Sequence, residues 1–435
     1  MKKVFRIAAA LAAVLALALA VCSCSSSSEP PFIPIPPAPT PPEPPLVDDP
    51  TIPLTIEALA DGTITLENPP STFKYKKNGG DFETVAPSGD PPQATIAVAT
   101  GDKVCLFADG TENSARGNGS CFLIKCSADF CLYGNVMSLE SSGSYQNCAA
   151  ILADNEFECL FIGNARLKNH ATLNIVLPAT ELTESCYDAM FDLCKLLERA
   201  PKLPATKLKD GCYKMMFQDC QSLVQAPELP AMELAKDCYR DMFYDCEKLE
   251  KAPALPAVKL KKSCYESMFA GCKSLVKAPA LPATELADFC YYSMFDNCVK
   301  MTPAPALPAT TLADSCYLDM FIRCKALTQA PELPAETLAD SCYMQMFCQC
   351  SNLKVAPVLK AKTLVVSCYE QMFSECANLT TVTCLATNIS ADRCLLSWME
   401  GVPSGGTFVK AKGMSGWPTG SVSGIPNGWT VQDSE

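Results

Sequence analysis

Residues 177–384 consist of eight consecutive copies of a 26-residue unit, without insertions or deletions. The shared pattern is L-P-A-x-x-L-x-x-x-C-Y-x-x-M-F-x-x-C-x-x-L-x-x-A-P-x. One such unit cannot bury its own apolar residues and must stack on its neighbours, so the period predicts a solenoid. The copies begin at Leu177, Leu203, Leu229, Leu255, Leu281, Leu307, Leu333 and Leu359.

One half of the unit is predicted to be a short amphipathic helix. Counted from the first cysteine, the apolar positions are 0, 1, 4, 5 and 8. At about 100° per residue they fall within an arc of roughly 140°, which is one broad stripe on a helix. Asp314 and Ser315 stand where an N-terminal cap is preferred. In the sixth copy the stripe is Cys316, Tyr317, Met320, Phe321 and Cys324.

The other half of the unit is predicted to be a short strand, residues 327–334 in the sixth copy. Pro331 cannot lie inside a helix, and Pro334 pushes Leu333 towards extended geometry. A proline at the same place in stacked strands removes one ladder donor per repeat, so each strand should be short. Strands stack about 4.8 Å apart, whereas helices need about 8–10 Å. This difference predicts a bent array with its strands on the concave side.

The segment M-F-x-x-C-x-x-L-x-x-A resembles the A-F-x-x-C-x-x-L-x-x-V core of the BspA-like bacterial leucine-rich repeat surface lipoproteins. The unit is longer than the usual repeat of that family and adds a proline-rich strand segment. The resemblance covers about half of the chain. It implies an exported, surface-attached protein that binds other molecules, often in adhesion, and it implies no catalytic residues. The matching positions in the sixth copy are Met320, Phe321, Cys324, Leu327 and Ala330.

The chain begins with features of a lipoprotein signal in residues 1–23. A basic start is followed by an apolar run at residues 7–21, which is too short for a comfortable membrane span. Ser23 before Cys24 fits a lipidated cysteine better than Val21 before Cys22, so lipidation is predicted at Cys24. A plain secretory signal is the alternative. Residues 24–50 are rich in Ser and Pro and are predicted to be a stiff spacer.

Residues 51–144 are predicted to form a small β-sandwich domain. Short β-type runs at residues 63–66, 73–76, 82–85, 94–98 and 104–107 are separated by turn residues. One or two disulfides are expected in an exported domain, although sequence alone leaves their pairing open. The candidate cysteines are Cys105, Cys121, Cys126 and Cys131.

Residues 145–176 read as an N-terminal capping repeat. Phe157, Leu160 and Phe161 take the places of the Tyr, Met and Phe of the unit. End repeats are expected to be atypical because one face meets solvent. The single histidine, His170, has no histidine partner for a metal and no evident nucleophile, so a capping or loop role is expected.

Residues 385–435 read as a broken ninth repeat followed by a C-terminal cap. The three tryptophans of the chain are Trp398, Trp417 and Trp429. They are expected to cover the open end of the solenoid. The alternative is an aromatic platform for a sugar or a peptide.

Sixteen of the 27 cysteines are the two framework positions of the eight repeats. On a helix the two would lie about 12 Å apart, beyond the roughly 7 Å that a disulfide spans. Bridges between repeats would need helices closer than packing allows. The framework cysteines are therefore predicted to be buried thiols. Zinc spacings are tighter than this pattern, so neither a metal nor a cofactor is expected.

Charge and motifs narrow the function. A net charge of −12 argues against a nucleic-acid partner. The sequence has no phosphate-binding loop, HExxH or nucleophile elbow, so no enzyme is expected. The prediction is a monomeric binding or adhesion protein for an extracellular protein or glycan. It would be lipid-anchored in a bacterial cell envelope, exposed at the surface or facing the periplasm. A spacer lipoprotein without a ligand is the alternative, and a carbohydrate enzyme is least favoured.

A ligand would be selected by positions that vary, namely the two residues after the last leucine of the unit and the one after its second proline. Their charges gather in the first copies. Stacked at about 4.8 Å per repeat, they would form a band roughly 40 Å long on the concave face. A solvated face without a partner is the alternative. Arg199, Lys202 and Lys251 are predicted to make polar contacts, accompanied by Glu198, Gln225 and Glu228.

Overall fold

The computed structural model describes residues 45–108, 121–141, 143–420 and 422–435. Their regular elements are fourteen strands and two short 3₁₀ helices, with no α-helix in these ranges. The predicted signal, the spacer up to residue 44 and Cys24 lie outside the described residues. The strands are β1 (Thr55–Ala58), β2 (Gly62–Glu67), β3 (Phe73–Lys77), β4 (Phe82–Val85), β5 (Gln93–Val98), β6 (Lys103–Ala108), β7 (Leu123–Cys126), β8 (Phe130–Asn135), β9 (Leu167–Asn169), β10 (Ile175–Val176), β11 (Val355–Leu359), β12 (Thr381–Cys384), β13 (Thr407–Lys410) and β14 (Thr430–Asp433). The 3₁₀ helices are Val136–Leu139 and Tyr145–Asn147.

The N-terminal part of the described chain contains two sheets. The larger has the strand order β10-β8-β1-β6-β3-β4, with β9 also paired to β8, and the smaller has the order β5-β2-β7. The five β-type runs of the sequence fall within β2 to β6, which confirms them as strands. Alternate residues of β5, such as Ile96 and Val98, are buried, as expected for a strand with one face on a core. Both sheets contribute to one hydrophobic cluster.

Residues 177–384 form a repeat solenoid, as the 26-residue period predicted. The Tyr and Phe of each unit stack on those of the next, with ring centroids 5.8 Å apart for Tyr291–Tyr317 and for Phe295–Phe321. The framework residues Met320 and Cys324 of the same unit are also fully buried. The apolar half of each unit therefore builds a continuous core of aromatic, Met and Cys ladders.

The predicted helix is wrong, because this half of the unit is a run of consecutive β-turns. In the sixth copy Met320 N–H donates to Tyr317 O at 3.2 Å, which closes one four-residue turn. Tyr317 N–H donates to Cys342 O of the next repeat at 3.1 Å. Positive φ angles recur every fourth residue, at Ser315 (54°), Asp319 (56°) and Arg323 (61°). We call this segment, residues 315–324 and its equivalents 26 residues apart, the turn ribbon.

Backbone hydrogen bonding explains why the ribbon replaces a helix. In a helix the backbone N–H groups form hydrogen bonds within the same helix. An isolated helix of about ten residues has only marginal stability. In the ribbon, N–H groups alternate between the turn and the next repeat, as Phe321 N–H does with Met346 O at 2.9 Å. Neighbouring ribbons are thus spaced by backbone hydrogen bonds, like strands. The bent array was predicted because packed helices are spaced more widely than strands. Since the unit contains no helix, this reason for a concave face no longer applies.

The proline-rich half of the unit forms only minimal strands, as predicted. In most repeats it pairs with its neighbour through a single parallel bridge, such as Gln225 with Lys251. Longer pairing begins at β11 and β12, near the end of the array. In the eighth unit Lys360 and Thr383 stand where other units carry prolines, which restores ladder donors. Strands β13 and β14 continue this parallel sheet beyond the array.

The segment predicted to be the N-terminal capping repeat continues the two aromatic ladders. Phe157 stacks on Tyr187 with centroids 5.6 Å apart, and Phe161 stacks on Phe191 at 5.5 Å. Asn164 stands in the place of the second cysteine, and its amide donates to Ile124 O at 2.8 Å. The cap therefore continues the ladders on one side and hydrogen-bonds to β7 on the other.

His170 has the loop role that was expected. Its Nδ1 accepts backbone N–H groups from Thr172 at 3.2 Å and Leu173 at 3.0 Å. Its ring packs against Tyr133 with centroids 4.7 Å apart. The histidine thereby fixes the turn between β9 and β10.

The tryptophans cover the C-terminal end of the solenoid, as expected for a cap. Trp398 is fully buried and stacks on Trp417 at 5.8 Å. The indole N–H groups of Trp398 and Trp429 donate to Gly424 O at 3.0 Å and Pro403 O at 2.9 Å. All three indoles are at most 8% exposed, so none offers a ring face to a sugar or a peptide.

The framework cysteines are buried, unbridged thiols, which confirms that prediction. Cys105, Cys126 and Cys131 of the N-terminal sheets are also unbridged, so the disulfides expected there are wrong for these three. Cys131 lies in β8, beside Lys168 of β9, and its thiol hydrogen is directed to Asn169 O at 3.5 Å. Two of these thiols, Cys126 and Cys131, are buried, and Cys105 is partly buried.

Candidate functional site

The proline-rich segments of neighbouring repeats leave a series of open hollows at the same position in the unit. The first lies between residues 225–230 and 251–256 and has a volume of about 440 Å³. The second lies between residues 277–282 and 303–308 and has a volume of about 380 Å³. The third lies between residues 304–308 and 331–334 and has a volume of about 470 Å³. We call the hollows together the trough.

The prolines explain why the hollows form. Before the first two hollows, neighbouring repeats are joined by backbone hydrogen bonds of 3.0 Å, from Glu250 N–H to Val224 O and from Thr302 N–H to Val276 O. Pro227 and Pro253 then follow, and a proline has no N–H to continue the ladder. The inward leucines, such as Leu229 and Leu255, stay buried and connect the segments to the core. The neighbouring segments therefore lie close together without backbone hydrogen bonds between them, and this leaves a gap.

The walls of the trough are largely apolar. The second hollow is formed mainly by Pro and Ala side chains, with Lys277 at its edge. Val224 and Val276, beside the hollows, are 43% and 52% exposed. No aromatic residue lines any of the three hollows. An exposed apolar surface that recurs over several repeats is typical of an interaction site.

Three of the six ligand-binding residues predicted from the sequence meet in the first hollow. Gln225 and Glu228 lie on one wall, and Lys251 lies on the other. Gln225 and Lys251 also form the backbone bridge between their repeats. The hollow thus offers an amide, a carboxylate and an ammonium group around an apolar floor, a combination that suits a polar group on an otherwise apolar ligand.

The other three residues lie at the N-terminal end of the array, outside the hollows. Arg199 is half-buried, and its Nη2 donates to His170 O at 2.7 Å. Backbone N–H groups of Glu198 and Arg199 donate to the Asn169 side chain at 2.8 and 2.9 Å. Their contacts connect the first repeat to β9 and the following turn.

Lys202 also contacts another part of the chain, although its side chain stays largely exposed. Its Nζ lies 2.6 Å from Asp48 Oδ2, and this hydrogen-bonded carboxylate raises the pKa of Lys202. The structure therefore places two of the three cations predicted to contact a ligand in contacts within the chain. Lys251 is the one that remains exposed on the trough.

Sequence reasoning missed the small residues that define the hollows. Ala280 lines the second hollow, and Ala306 lines both the second and the third. Both alanines occupy variable positions of the unit, where a small apolar side chain gives no charge signal in the sequence. The signal that could have found the trough is the pair of prolines in each unit, because they interrupt the ladder at two fixed places.

The turn ribbons carry a different chemistry on their outer side. Asp188 and Asp192 are only 6% and 7% exposed, and burial raises the pKa of each carboxyl to about 6. Asp188 pairs with Lys214 at 3.2 Å. Burial raises the pKa of Asp319 to about 6 as well. These carboxyls make the ribbon side sensitive to pH.

The described residues include no helix long and apolar enough to cross a membrane. Comparisons with protein-family models, with curated proteins and with solved structures found no match.

Proposed function

We propose that the chain is an exported, lipid-anchored binding protein of a bacterial cell envelope whose trough docks an extracellular partner. The observation that supports this most is the recurrence of apolar, open hollows at one position of successive repeats. Because the repeats are stacked, hollows at the same position of several repeats together form an extended surface. In this proposal the signal-like start directs export and Cys24 carries the lipid anchor. The proline-rich spacer holds the array away from the membrane.

The lining favours a protein partner over a glycan. Burying sugar hydroxyls requires hydrogen-bond partners, which the Pro and Ala side chains of the second hollow do not supply. The cores of protein interfaces are apolar with a polar rim. The second hollow matches this description, with Pro279, Ala280 and Pro305 inside it and Lys277 at its edge.

The alternative is a spacer lipoprotein without a specific ligand. It is favoured by one observation, namely that Arg199 and Lys202 are engaged within the chain. In that case the apolar hollows would be a by-product of the two prolines in each unit.

Two finer points of the fold belong to the same proposal. We infer that the two N-terminal sheets pack as the small sandwich of residues 51–144, supported by the hydrophobic cluster they share. We also infer that the array is a long-period relative of the BspA-like leucine-rich repeats. The support is the fully buried Met320, Phe321, Cys324 and Leu327, the positions that carry the resemblance.

The anchoring is tested by fractionation and lipid labelling of cells that express the full chain. Cys24→Ser should lose the lipid and move to the soluble fraction, while Cys22→Ser should stay lipidated and membrane-bound. The opposite pattern would move the modification to Cys22. An unlabelled wild type would remove the anchor from the proposal.

The trough is tested by filling it. Ala280 is exposed in the second hollow, so Ala280→Trp should occupy the space without disturbing the core. Thr284→Trp is the matched control, because Thr284 is exposed but lines no hollow. The Cys24→Ser form serves as a soluble probe for host-protein pull-down and glycan arrays. Capture should be lost in Ala280→Trp and kept in Thr284→Trp. No capture by the wild type would favour the spacer alternative.

A further inference from the structure

One group of side chains between the N-terminal sheets and the array is arranged like a metal site. Cys121 lies just before β7, while Glu158 and Cys159 belong to the N-terminal capping repeat. One ligand atom of each, two Sγ atoms and a carboxylate oxygen, all lie within 4.8 Å of one another. We infer that Cys121, Glu158 and Cys159 bind one thiophilic divalent cation of the zinc type.

The backbone holds the three residues from both sides. Cys159 N–H donates to Asp188 O of the first repeat at 2.8 Å, in the turn-ribbon pattern. Ile124 N–H of β7 donates to Leu160 O at 2.8 Å. The Asn68 side chain donates to Cys121 O at 3.3 Å. The three side chains therefore converge because strand and ribbon are hydrogen-bonded directly beside them, which is the pre-positioning that a metal site requires.

The donor set selects the class of cation. Two sulfur ligands favour soft or borderline metals, and a carboxylate completes a set that Zn²⁺ accepts. Ca²⁺ and Mg²⁺ prefer oxygen ligands throughout. Three protein ligands leave a fourth tetrahedral position for water, and all three residues are partly exposed, so an ion can enter.

Electrostatics at the site also suit a cation. The Glu158 carboxylate is one of the three converging ligands, and the Asp188 carboxylate of the first repeat lies near Cys159. Nearby lysines are engaged elsewhere, since Lys125 Nζ donates to Ile162 O and Lys214 pairs with Asp188. Binding of a divalent cation would release the two thiol protons to solvent, so that two thiolates and the Glu158 carboxylate would surround the cation with the net charge of the site unchanged.

The site would fasten the cap of the solenoid to the sheet that precedes it. Cys121 and Cys159 are 38 positions apart in the chain and belong to different parts of the fold. A metal that binds the folded chain and not the unfolded chain stabilises it in proportion to its free concentration. This inference is independent of the trough, and it adds a metal where the sequence pattern predicted none.

The test uses the full chain, purified in reductant and then exchanged into metal-free buffer. Zinc uptake is measured by competition with a chromogenic chelator, thiolate ligation by the charge-transfer absorption of the cobalt form, and folding by circular dichroism. The wild type should bind one equivalent and gain thermal stability with zinc. Cys159→Ser should lose both effects. Glu158→Gln, which keeps both thiols, should bind at least about tenfold more weakly.

Cys105→Ser is the matched control, since Cys105 is another partly buried thiol of the N-terminal sheets and lies outside the group. It should bind zinc like the wild type. Three results would overturn the inference: no zinc uptake by the folded wild type, uptake that Cys159→Ser and Glu158→Gln leave unchanged, or a Cys121–Cys159 disulfide in peptide maps of protein isolated without reductant.

Discussion

The Cys324 thiol donates a hydrogen bond of 3.0 Å to the carbonyl oxygen of Phe295, in the preceding repeat. The second cysteine of each unit makes the same contact at 3.0–3.2 Å, so the bond recurs along the core. The cysteine is thus both a small apolar group and a donor that links neighbouring repeats. The other donors are Cys194, Cys220, Cys246, Cys272, Cys298, Cys350 and Cys376.

Replacing the donor should cost more than replacing a cysteine without this bond. Cys324→Ala should lower the free energy of unfolding by about 0.5–1 kcal/mol more than Cys316→Ala, because both thiols are fully buried but only Cys324 bonds to a carbonyl of the preceding repeat. Urea titration of the two variants measures the difference. Equal losses would show that the thiol acts only by filling space.

At Gln349 the turn ribbon and a helix predict opposite rankings for the stability of glycine and valine variants. This exposed residue has a φ of 60°, a region that glycine enters freely and β-branched residues avoid. Gln349→Gly should leave stability unchanged or raise it, and Gln349→Val should lower it by about 1–2 kcal/mol. In a helix glycine would be the worse of the two. Thermal unfolding that ranks Val above Gly would contradict the ribbon.

Phe321 is fully buried between Phe295 and Phe347, at ring distances of 5.8 and 5.6 Å. Phe321→Ala should lower the unfolding free energy by about 3–5 kcal/mol. Because each repeat contacts only its neighbours, amide exchange should first accelerate in the fifth to seventh copies. Wild-type protection of those amides would refute the assigned register.

Stability should increase as the pH falls from 7 to 5. The folded chain holds protons on Asp188 and Asp192 up to a pKa of about 6, whereas the ordinary value is 3.8. Their contribution is therefore greatest near the lower value and is lost as pH rises through the upper one. We expect a gain on the order of 1 kcal/mol per carboxyl in urea titrations.

Two substitutions identify the source of this pH effect. Asp192→Asn should flatten the slope between pH 5 and 7. Asp102→Asn should leave it unchanged, because hydrogen bonding to Lys77 and its neighbours lowers the pKa of Asp102 to about 2, outside this window. A slope that Asp192→Asn does not change would assign the effect to other groups.

The sequence predicted the repeat and its core because both depend only on spacing. The apolar positions 0, 1, 4, 5 and 8 follow a strict period of four, so residues such as Tyr317 and Phe321 must share one side of any compact unit. The same reasoning placed Phe157 and Phe161 at the end of the two ladders. Burial could therefore be predicted without knowing the backbone.

The backbone conformation could not be predicted in this way, because a period of four fits a helix and a series of four-residue turns equally well. The signal that distinguishes turns from a helix is the residue type at the third position of each turn, which has a positive φ. Ser315 and Asp319 occupy this position, and they tolerate a positive φ better than β-branched residues do. The trough was harder still. It depends on where neighbouring repeats fail to pair, and the contacts of Arg199 and Lys202 with distant residues have no local pattern.

The most direct test of the trough is lysine footprinting of the complex with whatever partner the wild type captures and Ala280→Trp does not. Lys251 and Lys277 line the first two hollows, while Lys300 is exposed elsewhere on the array. Acetylation of Lys251 and Lys277 should fall in the saturated complex, and that of Lys300 should not change. If both trough lysines stay reactive while residues 51–144 or 385–435 become protected, the partner binds elsewhere and the trough is not the binding site.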